Sequence, residues 1–109
     1  MNELQEPFDE LIAATPTLIL QFGDEACAPC HAIRYKLEKW LEGQANVTAR
    51  YIDIRKNLAL CTQMGIFSAP AVAVYMDGNL VAREAGYFSL DDVLGRVERY
   101  MEMRSCGET

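Results

Sequence analysis

The sequence predicts a single-domain α/β layer protein, on three observations. An apolar run at residues 17–22, a helical pattern at 31–43 and a second strand-like run at 47–54 follow one another, and a strand, helix, strand order implies a parallel pair with a right-handed crossover. Residues 71–76 and 80–85 flank Asp77-Gly78-Asn79, the signal of a β-hairpin. Ser89-Leu90-Asp91-Asp92 then opens a last amphipathic helix with a capping-box pattern. The 109 residues, half of them apolar, suffice for one core and are too few for two domains. Residues 1–109 are therefore read as one domain, with 104–109 expected to fray as a polar tail.

Taken in order, residues 3–14 place Leu4, Phe8, Leu11 and Ile12 at helical spacing among acidic and polar residues, so a short amphipathic helix is expected, with room for a stub of strand before it. Thr15-Pro16 ends it. The run 17–22 lacks clean alternation, as a central strand covered on both faces should. After the loop Gly23-Asp24-Glu25-Ala26, the apolar positions Ile33, Leu37, Trp40 and Leu41 mark the buried stripe of a helix stopped at Gly43. Residues 47–54 are rich in β-branched and aromatic side chains. Asn57 is placed to cap a short helix that ends at Gly65. In the last helix Leu90, Val93, Leu94, Val97 and Met101 form the buried stripe.

A net charge of −6 argues against binding a phosphate backbone or a membrane surface through basic residues, so neither nucleic acid nor membrane is an expected partner. The acidic start Met1-Asn2-Glu3-Leu4-Gln5-Glu6 lacks the features of a secretory signal, and the cytoplasm is the expected location. Of four cysteines only two are close in sequence, which fits a reactive pair plus two single thiols better than a set of structural staples.

That pair is Cys27-Ala28-Pro29-Cys30, set where a buried strand turns into a helix. There the two sulfurs can meet across one helical turn, which reads as a dithiol/disulfide redox site. The positive end of the helix favours a thiolate at Cys27, and the thiolate is the form that attacks a disulfide. Cys30, one turn deeper, is placed to resolve the mixed disulfide. Cys27 to His31 also spell C-x-x-C-H, the pattern of covalent haem attachment, but no export signal accompanies it. Metal binding by the pair with Cys61 or His31 lacks a second ligand pair at zinc spacing. His31 either lies one turn from Cys27 and favours its thiolate as imidazolium, or is an ordinary exposed helix residue. Asp24 and Glu25 would act in the opposite direction. Cys61 is read as a small core residue and Cys106 as an exposed thiol.

With these residues in place, the chain resembles the thioredoxin family over nearly its whole length. The resemblance rests on Cys27-Ala28-Pro29-Cys30 after a buried strand, Ser68-Ala69-Pro70 ahead of the hairpin, the Asp77-Gly78 turn, and Gly86 before the last helix. It implies a thioredoxin-like fold, a central mixed sheet of about four strands flanked by helices, with the family's first strand short or missing. It implies a cis peptide bond before Pro70 beside the cysteines, and substrate contacts at Ala28, Pro29, Ala69 and Gly86, the backbone of Ala69 pairing with the substrate chain. The activity it implies is protein-disulfide reduction in cell redox homeostasis, with Cys27 as nucleophile, Cys30 as resolving thiol, no cofactor beyond that disulfide, and no metal. Its implied partners are protein disulfides and a flavin-dependent thioredoxin reductase, and a monomer is expected. The alternative is a non-catalytic binding module or redox switch that keeps the fold.

The chain departs from the family pattern at several places. Ala26 and Ala28 stand where family members commonly carry Trp and Gly around the first cysteine, and Gly23 stands at the place of a second aromatic. Gln21 falls at a buried Asp of bacterial thioredoxins, its Lys partner falls near Tyr51, and a helix-kinking Pro falls on Tyr35. The resemblance is thus to a thioredoxin-like protein, not a housekeeping thioredoxin, with fewer aromatics expected to rim the site.

Overall fold

The computed structural model describes residues 1–107. Its elements are β1 (Asn2–Glu3), α1 (Phe8–Ala14), β2 (Thr17–Gly23), α2 (Ala28–Leu41), β3 (Thr48–Asp53), α3 (Leu58–Met64), β4 (Ala71–Met76), β5 (Asn79–Ala85) and α4 (Leu90–Gly107), with a 3-10 turn at Ile54–Lys56. The sheet order is β1-β3-β2-β4-β5. β1, β3 and β2 run parallel, while β4 is antiparallel to β2 and β5 to β4. The sheet is mixed, as expected, and its five strands are the four expected plus a short first strand of two residues, one of the two forms that the resemblance implied for it.

The fifth strand is the two-residue β1, exposed at both positions, so it carries no hydrophobic pattern to announce it. Its pairing with β3 continues in the hydrogen bond from Leu4 N to Tyr51 O at 2.9 Å. Because residues 2–4 are committed to the sheet, α1 starts at Phe8 and not at residue 3; Pro7 stands before it and accepts from Leu11 N at 3.0 Å.

β2 is buried along all seven residues and divides the core into two layers. Ile19 points into one layer, where Leu37 of α2 and Leu90, Val93, Leu94 and Val97 of α4 meet Val72 and Val74. Leu18, Leu20 and Phe22 point into the other, against Leu11, Ile52, Cys61 and Ile66. Each such side chain contributes about 1.5–3 kcal/mol over its exposed state. Cys61 is only 1% exposed, and burial pushes its thiol up, with the charge of Asp53 adding to the effect. Trp40 is partly buried against the first layer and turns its indole N–H to Glu98 at 2.7 Å.

Local chemistry sets the boundaries. Asp77 and Gly78 both take positive φ, 53° and 84°, the pair that a tight hairpin turn demands. Ser89 Oγ accepts from Asp92 N at 3.1 Å and caps α4. α3 ends at Gly65, in the left-handed region at φ 72°, and Arg83 donates to the carbonyls of Met64 and Gly65 at 2.6 and 2.7 Å.

Three further sequence expectations are corrected. Asn57 precedes α3, but its side chain donates to Asp53 O at 2.9 Å instead of capping the helix; the side chain of Asp53 holds the 3-10 turn by accepting from Arg55 N and Lys56 N. α2 runs from Ala28 to Leu41 and not over 31–43: it starts earlier because Pro29 fits its first turn, and beyond Leu41 the backbone passes into tighter turns, Gly43 N donating to Trp40 O at 3.2 Å. The tail expected to fray from Arg104 is helical to Gly107, and residues 108–109 lie outside the described residues. Arg104 fastens it, donating to Thr17 Oγ1 at 3.0 Å and Pro16 O at 2.7 Å and pairing with Asp77 at 3.2 Å.

Candidate active site

The site forms where β2 gives way to α2. The connecting turn is closed by Asp24, whose carboxylate accepts from Ala26 N at 2.7 Å and whose carbonyl accepts from Cys27 N at 3.2 Å. Cys27 is then the residue before the first turn of α2, in extended conformation, and Pro29 sits within that turn, where a missing N–H leaves no helical bond unmade. Cys27 and Cys30 are joined as a disulfide, their Cα atoms 5.3 Å apart.

The two sulfurs have unlike surroundings. Cys27 is partly exposed at the positive end of the helix, which favours a thiolate there, while Cys30 is 1% exposed. His31 is exposed on α2. Asp24 is held 3.9 Å from Arg55, which offsets its charge beside Cys27, and Glu25 is exposed.

An open groove of about 460 Å³ runs from Cys27, Ala28 and Pro29 across to Ala69 and Pro70. The Ala69–Pro70 peptide bond is cis. The carbonyl of buried Pro70 accepts from Gly86 N at 2.9 Å, and Gly86 has φ 79°, a conformation that suits glycine. Five of the residues singled out in the sequence, Cys27, Ala28, Pro29, Ala69 and Pro70, line this groove; Cys30 is bonded to Cys27 and buried, and Gly86 is bonded to Pro70. Two exposed aromatics adjoin them in sequence, Phe67 ahead of the cis bond and Tyr87 after Gly86.

Beneath the disulfide lies Gln21, wholly buried. Its Nε2 donates to Cys30 O at 2.9 Å, and its Oε1 has no protein partner. Tyr51 stands directly across from it in the β2–β3 pair. Burial, with the carboxylates of Asp53, Asp24 and Glu3, holds the Tyr51 phenol above its ordinary value, against the pull of the Arg34 guanidinium. That guanidinium lies 4.6 Å over the Tyr51 ring. Sequence reasoning placed Tyr51 only as a family counterpart, because nothing local fixes the register between β2 and β3.

Among the described residues no group of three or more His, Cys, Asp or Glu side chains is placed to hold a metal ion, and no helix is long and apolar enough to cross a membrane.

Comparison with known proteins gives one consistent result. The thioredoxin family model matches residues 1–99. The thioredoxin of Chlamydia pneumoniae is 33% identical over 81 residues, covering 74% of this chain and 78% of its own. That of Chlamydia trachomatis is 28% identical over 96 residues, 88% of this chain and 93% of its own. Among solved structures, a mutant thioredoxin from Halobacterium salinarum NRC-1 superposes with a TM-score of 0.77 over 91% of this chain and 87% of that one, at 23% identity, a likeness of fold. Thioredoxins are disulfide oxidoreductases that work without a cofactor, through a redox-active disulfide. With its cysteine pair at the head of α2 and a cis-proline across the groove, this chain belongs to the thioredoxin family.

Proposed function

We propose that this protein reduces disulfides in protein substrates, Cys27 attacking and Cys30 resolving. The observation that carries the reading is the inequality of the two sulfurs: one partly exposed at a helix N-terminus and open to the groove, the other buried one turn below. The Cys27 thiolate attacks a substrate disulfide; a Cys27–substrate bond forms and one substrate sulfur leaves as thiolate. The Cys30 thiolate then attacks Cys27, the mixed disulfide breaks, and the second substrate sulfur leaves. Two electrons have passed to the substrate, and Cys27–Cys30 is oxidised.

On this reading Ala28, Pro29, Ala69 and Gly86 contact the substrate, Ala69 through its backbone, and Pro70 shapes the groove against the disulfide. A flavin-dependent thioredoxin reductase restores the dithiol, and the protein works as a monomer in the cytoplasm. The competing reading is a binding module whose disulfide does not turn over. Exposed Phe67 and Tyr87 fit either one, since both need a surface for a polypeptide. Insulin reduction by dithiothreitol, followed as turbidity, separates them. The protein is expected to accelerate precipitation and Cys27→Ser to lose that effect; no acceleration by the unaltered protein would leave the binding module.

A further inference from the structure

Resolution requires a thiolate at Cys30, a sulfur that is 1% exposed. Burial opposes that charge, and Gln21 beneath it can neither gain nor lose a proton near neutral pH. Something else must make the thiolate tolerable.

The Tyr51 hydroxyl is placed to do so. A Cβ added at Gly23 would stand 2.5 Å from the Tyr51 hydroxyl oxygen and 3.0 Å from Cys30 Sγ, so the two atoms converge on one spot from β3 and from α2. The hydroxyl can occupy that spot because residue 23 has no side chain. Gly23 is not among the glycines of positive φ, so backbone conformation gives no reason for glycine there, and the space does. Tyr51 is 9% exposed, and Arg34 covers its ring from α2.

We propose that the Tyr51 hydroxyl donates a hydrogen bond to the Cys30 thiolate as it forms, making Tyr51 the group that holds negative charge on the resolving sulfur. The inference rests on the oxidoreductase reading above. In the step concerned, the Cys30 proton passes to water and the phenol keeps its own. Cys30 Sγ bonds to Cys27, the Cys27–substrate bond breaks, and the electron pair leaves on the substrate sulfur. The phenol remains a donor throughout, because burial and nearby carboxylates disfavour its ionisation. The charged groups that bear on it are Arg34 from α2, Asp53 at the end of β3, Asp24 from the loop after β2 and Glu3 of β1. Arg34 is the one cation among them and opposes the three carboxylates.

The test uses the full chain with the exposed thiol of Cys106 replaced by Ser. Reduced protein is mixed with one equivalent of the aromatic disulfide DTNB in a stopped-flow instrument. The first thionitrobenzoate released marks the mixed disulfide at Cys27, and the second marks resolution by Cys30. Tyr51→Phe, which removes only the hydroxyl, should move the pH midpoint of the second release upward by about one unit, slowing it about tenfold below the midpoint. In the resting dithiol, the Cys30 Cβ carbon resonance should titrate about one unit higher in the same variant. If either midpoint stays where it was, the inference is overturned. Two releases with unmoved midpoints overturn it alone, whereas the absence of a second release from the protein with Tyr51 intact overturns the oxidoreductase reading with it.

Discussion

Gln21→Asp tests what the amide beneath the dithiol withholds. An ordinary thiol, of pKa about 8.5, is only about 3% ionised near pH 7, and burial as complete as that of Cys30 disfavours the thiolate further. Without a base, the resolving step should therefore rise about tenfold per pH unit through neutrality, with about thirtyfold or more in hand below its plateau. A carboxyl at position 21 would be wholly buried with no cation opposite, since Tyr51 occupies the facing position. Its pKa should climb from about 3.9 toward neutrality, the range in which a general base works best. Gln21→Asp is expected to speed resolution about tenfold near neutral pH and to flatten its pH dependence. It should also cost about 2–4 kcal/mol of stability, from the lost hydrogen bond to Cys30 O and a buried carboxyl left without a partner. Stopped-flow reduction of a disulfide substrate from about pH 6 to about pH 9 measures the kinetic part, and urea denaturation the rest. Identical pH profiles for the two proteins would refute the reasoning, because proton removal from Cys30 would then not limit the step.

The remaining predictions concern the cysteines and the sheet edge. Brief iodoacetamide treatment of the reduced protein should label Cys27 before Cys30, since one is partly exposed and the other 1% exposed; peptide mapping that found the reverse order would exchange their roles. Cys30→Ser should accumulate protein substrates as mixed disulfides at Cys27 and Cys27→Ser should not, so equal recovery in a non-reducing pull-down would count against the mechanism. Arg50 donates to both oxygens of Glu6, with a shortest contact of 2.7 Å, and this bonding lowers the Glu6 carboxyl from 4.5 to about 2. A depressed carboxyl stabilises the folded state above its unfolded value and loses that contribution as pH falls toward the folded one. Between pH 4.5 and about 2, Glu6→Gln should thus show a shallower loss of urea midpoint than the unaltered protein, and parallel curves would argue that the pair contributes nothing.

The elements that were legible in the sequence are those whose cause is local. β2 is apolar because both faces are covered, the hairpin follows from Asp77-Gly78, and α4 announces itself through Ser89. What was not legible depends on distant partners. β1 exists through its pairing with β3, and neither of its residues is buried. The last turn of α4 reads as polar tail until Arg104 is seen to reach Thr17, Pro16 and Asp77. Asp53 takes over the turn after β3 and leaves Asn57 no capping role, a competition between neighbouring polar side chains that residue preferences alone do not decide.

The site was legible in its upper part only. C-x-x-C at a strand-to-helix junction and a proline ahead of the hairpin named the groove, but the floor is set by register, and a strand buried on both sides gives no alternation from which to read it. In the sequence, Gln21, Gly23 and Tyr51 look like three separate departures from the family pattern. In the structure they form one packing unit: Gln21 and Tyr51 are partners across β2 and β3, and the Tyr51 hydroxyl fills the space that Gly23 leaves beside Cys30. Gly23 and Tyr51 therefore constrain one another, and Gln21 faces Tyr51. An aromatic restored at position 23 alone would drive its Cβ into the Tyr51 hydroxyl and against Cys30, and a lysine restored at 51 alone would face an amide with no charge to meet it. A side chain at position 23 therefore requires Tyr51 to change with it, a coupling that could not be read before the register of β2 and β3 was known.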